Sequence, residues 1–185
     1  REAEEIKKRL ERVREEVEKE LERIHRETDK IAKDVKRELD EIDKESKKVA
    51  EEIKKVAEEI KDKEELKRRV DEVTRELERL NEELERIVRE VVRRLEALNE
   101  RLEEIVRRVV ETLRRLVEEV VRRTGRGSKV DELKRRVEEV KRDLERKVRE
   151  NNETIKKVKE DLRREVERNH KTIEDIKREL DERVR

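Results

Sequence analysis

Aliphatic residues recur along the chain at intervals of 4, 3, 4, 4 and 3, a cycle of 18 residues. Eighteen residues complete five turns at about 3.6 residues per turn, so a stripe with this period stays on one face of a straight α-helix. A seven-residue repeat drifts instead, and left-handed supercoiling takes up the drift. The pattern here calls for little or no supercoil. The first stripe runs Ile6, Leu10, Val13, Val17, Leu21, Ile24, Thr28, Ile31, Val35, Leu39, Ile42, Ser46, Val49, Ile53, Ala57 and Ile60. The second starts Leu66, Val70, Val73, Leu77, Leu80 and repeats from Leu84 and from Leu102. The third starts Val130, Leu133, Val137, Val140, Leu144 and repeats from Val148 and from Val166 as far as Val184. Each stripe predicts an amphipathic helix.

The breaks between the stripes place the helix ends. Thr124-Gly125-Arg126-Gly127-Ser128 is the only stretch that contains glycine. Gly125 suits the left-handed position that closes a helix, and Ser128 can N-cap the next one with Asp131 at N3. No Gly or Pro lies near residue 61, yet the stripe changes phase there. From Ile60 to Leu66 is six residues, which leaves the second stripe roughly 120° away from the first. Asp62 followed by Glu65 adds a signal like a capping box. The sequence therefore predicts a tight turn near Lys61–Asp62 and helices over about 2–60, 63–123 and 129–184. The expected fold is all-α, an elongated up-down-up antiparallel three-helix bundle in one domain, 1–185.

Folding the chain at the two turns aligns its polar exceptions. When opposed residues of the first two helices sum to about 127, Thr28 meets Asn99 and Ser46 meets Asn81. When those of the second and third sum to about 250, Asn99 meets Asn151 and Asn81 meets Asn169. Two layers result, Thr28/Asn99/Asn151 and Ser46/Asn81/Asn169, about 27 Å apart. The equivalent layer in the remaining repeat, Leu10/Val117/Leu133, is apolar. Buried amides and hydroxyls must satisfy one another, at about 1–3 kcal/mol for each group left unpaired. A slipped register sets Asn against Leu, so matched layers penalise wrong pairings. His25, Asn152, Thr154, His170 and Thr172 lie beside the layers, either extending them or on the surface.

Composition narrows the function classes. Charged residues make up 61% of the chain, 57 basic against 56 acidic, and no aromatic residue, Cys, Met or Pro occurs. Mixed charge with helical periodicity marks long helices or coiled coils rather than disorder. A net charge of +1 without stacking aromatics argues against nucleic acid. No run approaches the roughly 18 apolar residues of a membrane span, and no signal-peptide pattern opens the chain. Without cysteine there is no disulfide framework and no thiol chemistry.

Metal binding is the sharpest chemical alternative, because Glu22-Arg23-Ile24-His25 and Glu167-Arg168-Asn169-His170 both have Glu-x-x-His spacing. With the first and third helices parallel, however, the two His lie roughly 33 Å apart along the axis. No metal, other cofactor or small-molecule substrate is expected. Catalytic carboxylates need a cleft that shifts their pKa values, and a continuously packed bundle offers none. Ser46 has no His and acid at its height, and the glycine turn lacks a phosphate-binding pattern. No catalytic residue is assigned. The remaining charges read as solvated faces with i,i+4 pairs such as Glu4–Lys8 and Glu51–Lys55.

The layered stripe, the helix caps, the Leu/Ile/Val core and the inserted Asn/Ser/Thr layers resemble parametrically designed helical bundles with buried hydrogen-bond networks. The resemblance covers the whole chain and is one of architecture. It implies a de novo protein, with no natural substrate or localisation and soluble in the cytoplasm of an expression host. Spectrin-like three-helix repeats are similar in outline but usually carry aromatic core residues. The leading expectation is a structural scaffold that needs no partner. The alternative is a module whose helices complete a larger homo- or hetero-oligomer with its own copies or with designed partner helices. The second helix feeds that alternative: Ile87 and Ile105 on one flank and Val92 and Val110 on the other widen its apolar arc to about 140°, against about 80° on the third. They form a possible interface strip, and the sequence leaves monomer and oligomer both open.

Overall fold

The computed structural model describes residues 2–125 and 127–185, with side chains from Glu4 onward. Three α-helices form, α1 (Glu2–Glu59), α2 (Lys63–Thr124) and α3 (Ser128–Val184), with no strand among the described residues. Each end lies within a residue of its expected place. The architecture is an all-α three-helix bundle.

The α1–α2 turn is built by one carboxylate. Asp62 accepts a hydrogen bond from the Glu64 N–H through its side chain (3.2 Å), and its carbonyl accepts the Leu66 N–H (3.0 Å). Asp62 is therefore the N-cap, satisfying a donor that has no partner inside the helix. Glu64 and Glu65 in the first turn add negative charge at the positive end of the α2 dipole.

At the second turn Gly125 has φ 75° and donates its N–H to the Val121 carbonyl at 2.9 Å. That is the left-handed closing motif in which only glycine escapes a Cβ penalty. Arg126 lies outside the described residues. The cap of α3 differs from expectation: the Gly127 carbonyl accepts the N–H groups of Val130 (3.1 Å) and Asp131 (3.2 Å), so Gly127 holds the cap position and Ser128 is the first helical residue. Glycine is itself a tolerated N-cap, so the helix starts one residue earlier than a hydroxyl cap would set it.

The chain divides into two compact units, each with a segment of every helix. One comprises residues 1–30 and 94–156. Its core joins Leu10, Val17, Leu21 and Ile24 of α1, Leu102, Val106, Leu113 and Val117 of α2, and Val130, Leu133, Val137, Val140 and Leu144 of α3. Ion pairs Lys7–Glu132 (3.4 Å), Arg14–Asp143 (3.0 Å) and Glu18–Lys147 (3.0 Å) climb α1 and α3 together, so these helices run parallel there. The other comprises residues 31–93 and 157–185. It buries Val35, Leu39, Ile53, Val70, Leu77, Leu84, Leu162, Ile173 and Leu180. Glu78–Lys177 (3.1 Å) and Glu85–His170 (3.8 Å) run in opposite senses, so α2 and α3 are antiparallel in it.

Candidate functional site: the polar positions of the core

Four of the six polar stripe residues are buried and two are half-buried, each set lies within one unit, and among the described residues neither set forms a side-chain network. In the first unit Thr28 is 0% exposed and Asn151 is 5% exposed, while Asn99 is half-buried. In the second, Ser46 is 1% and Asn169 is 8% exposed, with Asn81 half-buried. Among the described residues, no side-chain hydrogen bond links one of these six residues to another. The Thr28 hydroxyl donates to the Ile24 carbonyl and the Ser46 hydroxyl to the Ile42 carbonyl, both at 2.9 Å. A helical Ser or Thr always has the carbonyl four residues back within reach, so it satisfies its donor locally.

The asparagines have no such local exit. Asn169 donates its amide to the Leu39 carbonyl across the α1–α3 interface at 3.3 Å. Asn151 has neither its Nδ2 nor its Oδ1 hydrogen-bonded, and Asn81 and Asn99 each have a buried Oδ1 without a partner. The expectation that each layer satisfies itself is corrected here: three of the six residues carry buried amide atoms without a partner. Height along the helices does not say where the polar atoms go.

The flanking residues behave differently. His25 is exposed beside Asp29 of its own helix (3.6 Å), whereas His170 is half-buried and faces Glu85. Thr154 and Thr172 turn their hydroxyls back to the Glu150 and Arg168 carbonyls (both 3.0 Å), and Asn152 is half-buried. Glu22 and Glu167 are exposed, and no cluster of three metal-ligating side chains occurs among the described residues.

In the expected α2 strip, Val110 is buried, Ile105 packs against the core of its unit, and Ile87 and Val92 are half-buried. No large hydrophobic residue is exposed among those described. The ion pairs named from sequence, Glu4–Lys8 and Glu51–Lys55, do not form among the described residues. The i,i+4 pairs present include Asp43–Lys47 (3.1 Å), Glu104–Arg108 (2.7 Å) and Glu111–Arg115 (2.8 Å). Exposed pairs gain so little over hydration that side-chain entropy selects among them.

Two carboxyls depart from ordinary behaviour. The Lys147 ammonium hydrogen-bonded to Glu18 holds its carboxyl below the usual range, against a smaller opposing effect of burial, and Arg14 adds to the lowering. Burial pushes Glu165 up, with Lys36 and Arg168 opposing and Asp40 and Asp161 reinforcing. The Glu165 Oε2 atom is buried and has no hydrogen-bond partner. These residues were not singled out from sequence. The Glu18–Lys147 ion pair depends on side-chain reach between helices, which stripe periodicity does not encode.

A groove of about 520 Å³ in the first unit opens between α1 and α3 beside Asn151. Its floor includes Leu21 and Leu102, and His25 and Thr154 line its sides. A second, of about 750 Å³, lies between α2 and α3 along Val106, Val110 and Val148.

No protein-family model and no curated protein matches the chain. A solved structure does. A computationally designed three-helix bundle superposes with a TM-score of 0.69 at 16% sequence identity, over 99% of this chain and 92% of its own. The likeness is one of fold. No helix among the described residues is long and apolar enough to cross a membrane.

Proposed function

We propose that the chain is a designed structural scaffold without a natural substrate, whose buried polar positions specify how its helices pair. Its fold is shared with a computationally designed three-helix bundle. The observation that carries the reading is that, among the described residues, Thr28, Ser46, Asn151 and Asn169 are the buried polar ones in an otherwise aliphatic core, with members of a pair on one helix 18 residues apart. A polar core residue lowers stability unless it is well satisfied, so its value lies in disfavouring other registers.

The test reads register directly. The chain lacks cysteine, so Glu18→Cys with Lys147→Cys reports the native α1–α3 height, and Glu11→Cys with Lys147→Cys a slip of seven residues. A short thiol cross-linker should join only the first pair in the parent. It should join both once Thr28 and Ser46 are changed to Val and the four Asn to Leu. Cross-linking confined to the first pair in both backgrounds overturns the specifying role.

A second reading is an interaction module that completes a larger helical bundle. It is favoured by the flanks of α2, where Ile87, Val92 and Ile105 remain half-buried in the single chain.

A further inference from the structure

We propose that Asn152 is an N-glycosylation acceptor masked by the fold, so that an oligosaccharide is attached to the nascent or unfolded chain and not to the native one. The chain has five asparagines, and Asn152-Glu153-Thr154 is the one place where an asparagine is followed two residues later by Ser or Thr. That triplet is what the transfer chemistry requires, with a residue other than Pro in the middle. Asn152 Nδ2 bonds to the anomeric carbon of a lipid-pyrophosphate-linked oligosaccharide, and the bond from that carbon to the pyrophosphate oxygen breaks. The amide gives up one proton, and the lipid pyrophosphate leaves. The Thr154 hydroxyl has to reach the transferring enzyme beside the amide.

The fold separates these two groups. Acceptor triplets belong in surface loops, whereas residues 152–154 lie inside α3. Side chains two residues apart on an α-helix point roughly 200° apart. Accordingly, Asn152 lines the groove between α2 and α3, and Thr154 lines the one between α1 and α3. The Thr154 hydroxyl is turned back to the Glu150 carbonyl at 3.0 Å, and Asn152 is half-buried. One enzyme site does not reach both sides of a helix that packs against two others.

Presenting the triplet therefore requires this stretch of α3 to unwind. That gives up the burial of Leu144, Val148 and Ile155, which lie on the core side of the same turns. The rate of modification then follows the fraction of chains that are locally or globally open.

The test offers one acceptor in two states. The whole chain is compared with the double variant Leu144→Asp, Ile155→Asp, which sets a charge in the core on either side of the triplet and whose loss of helix is checked by circular dichroism. Each is incubated with a purified oligosaccharyltransferase and a lipid-pyrophosphate-linked oligosaccharide. Mass spectrometry should find one glycan per chain on the unfolded variant and at least about tenfold less on the parent. Adding Asn152→Gln or Thr154→Val to the unfolded variant should abolish the gain. Should the double variant keep its helices, the parent translated into microsomes behind a signal sequence takes its place, and should gain the glycan there but not when added after folding. Equal modification of folded and unfolded chains overturns the masking. No glycan on the unfolded or nascent chain, or one that survives Asn152→Gln, overturns the acceptor.

Discussion

The Asn169 amide donates to the Leu39 carbonyl at 3.3 Å, while its counterpart 18 residues earlier, Asn151, has no partner for either amide atom. Two chemically equal residues in equivalent repeats thus have different energetic roles. Asn169→Leu gives up one hydrogen bond, worth about 0.5–1.5 kcal/mol net, and gains apolar burial, so its stability should stay within about 1 kcal/mol of the parent. Asn151→Leu removes an unsatisfied amide next to a groove that gives the larger side chain room, and should stabilise by about 1–3 kcal/mol. Denaturant midpoints at constant m-value decide. A less stable Asn151→Leu variant means that the amide is satisfied in solution.

The turn glycines separate in the same assay. Gly125 has open space where a Cβ would sit but a φ of 75°, so the penalty for Gly125→Ala comes from the backbone alone, about 1–2 kcal/mol. Gly125→Asn should lose less, because Asn tolerates the left-handed region. Gly127 also has open space and holds the cap position of α3. Gly127→Ser should therefore be neutral or stabilising by a few tenths of a kcal/mol. Equal losses at both positions would contradict the cap assignments.

Asp62→Ala should destabilise by about 0.5–2 kcal/mol, since it strips the cap from the Glu64 N–H. Asp62→Ser should recover most of that loss. If Ala and Ser behave alike, the side-chain cap contributes nothing in solution.

Acid should act oppositely through two carboxyls. Glu18 has a folded pKa below its unfolded value, so its contribution is present above the ordinary carboxylate range and is lost as pH falls through the folded pKa. Glu165 has a raised folded pKa, so its charged form destabilises at neutral pH and the penalty is relieved as pH falls through that value. Glu165→Gln should thus stabilise at pH 7 and show no advantage below the ordinary carboxylate range, whereas Glu18→Gln should destabilise at pH 7 only. NMR titration of the two carboxyls against unfolded references checks the directions.

Helix ends and core stripe were legible because they depend on period and on a few backbone-setting residues. The phase jump from Ile60 to Leu66 located a turn that lacks glycine and proline, and Val130, Leu133 and Val137 fell into the core as their spacing required. Side-chain partners were not legible. Thr28 and Ser46 find acceptors on their own helix, so placing them opposite Asn does not pair them. Gly127 took the cap from Ser128 through a carbonyl that every residue possesses. The bond from Asn169 to Leu39 ends on backbone, to which a search for matching polar side chains is blind.

On the proposed function, the polar core residues are retained for pairing and not for stability. The most direct measurement is the guanidinium midpoint of the variant in which Thr28 and Ser46 become Val and Asn81, Asn99, Asn151 and Asn169 become Leu. The midpoint should lie above that of the parent, because these changes remove the unpartnered amide atoms of Asn81, Asn99 and Asn151. A midpoint clearly below the parent's would show that these residues hold the bundle together, and would contradict it.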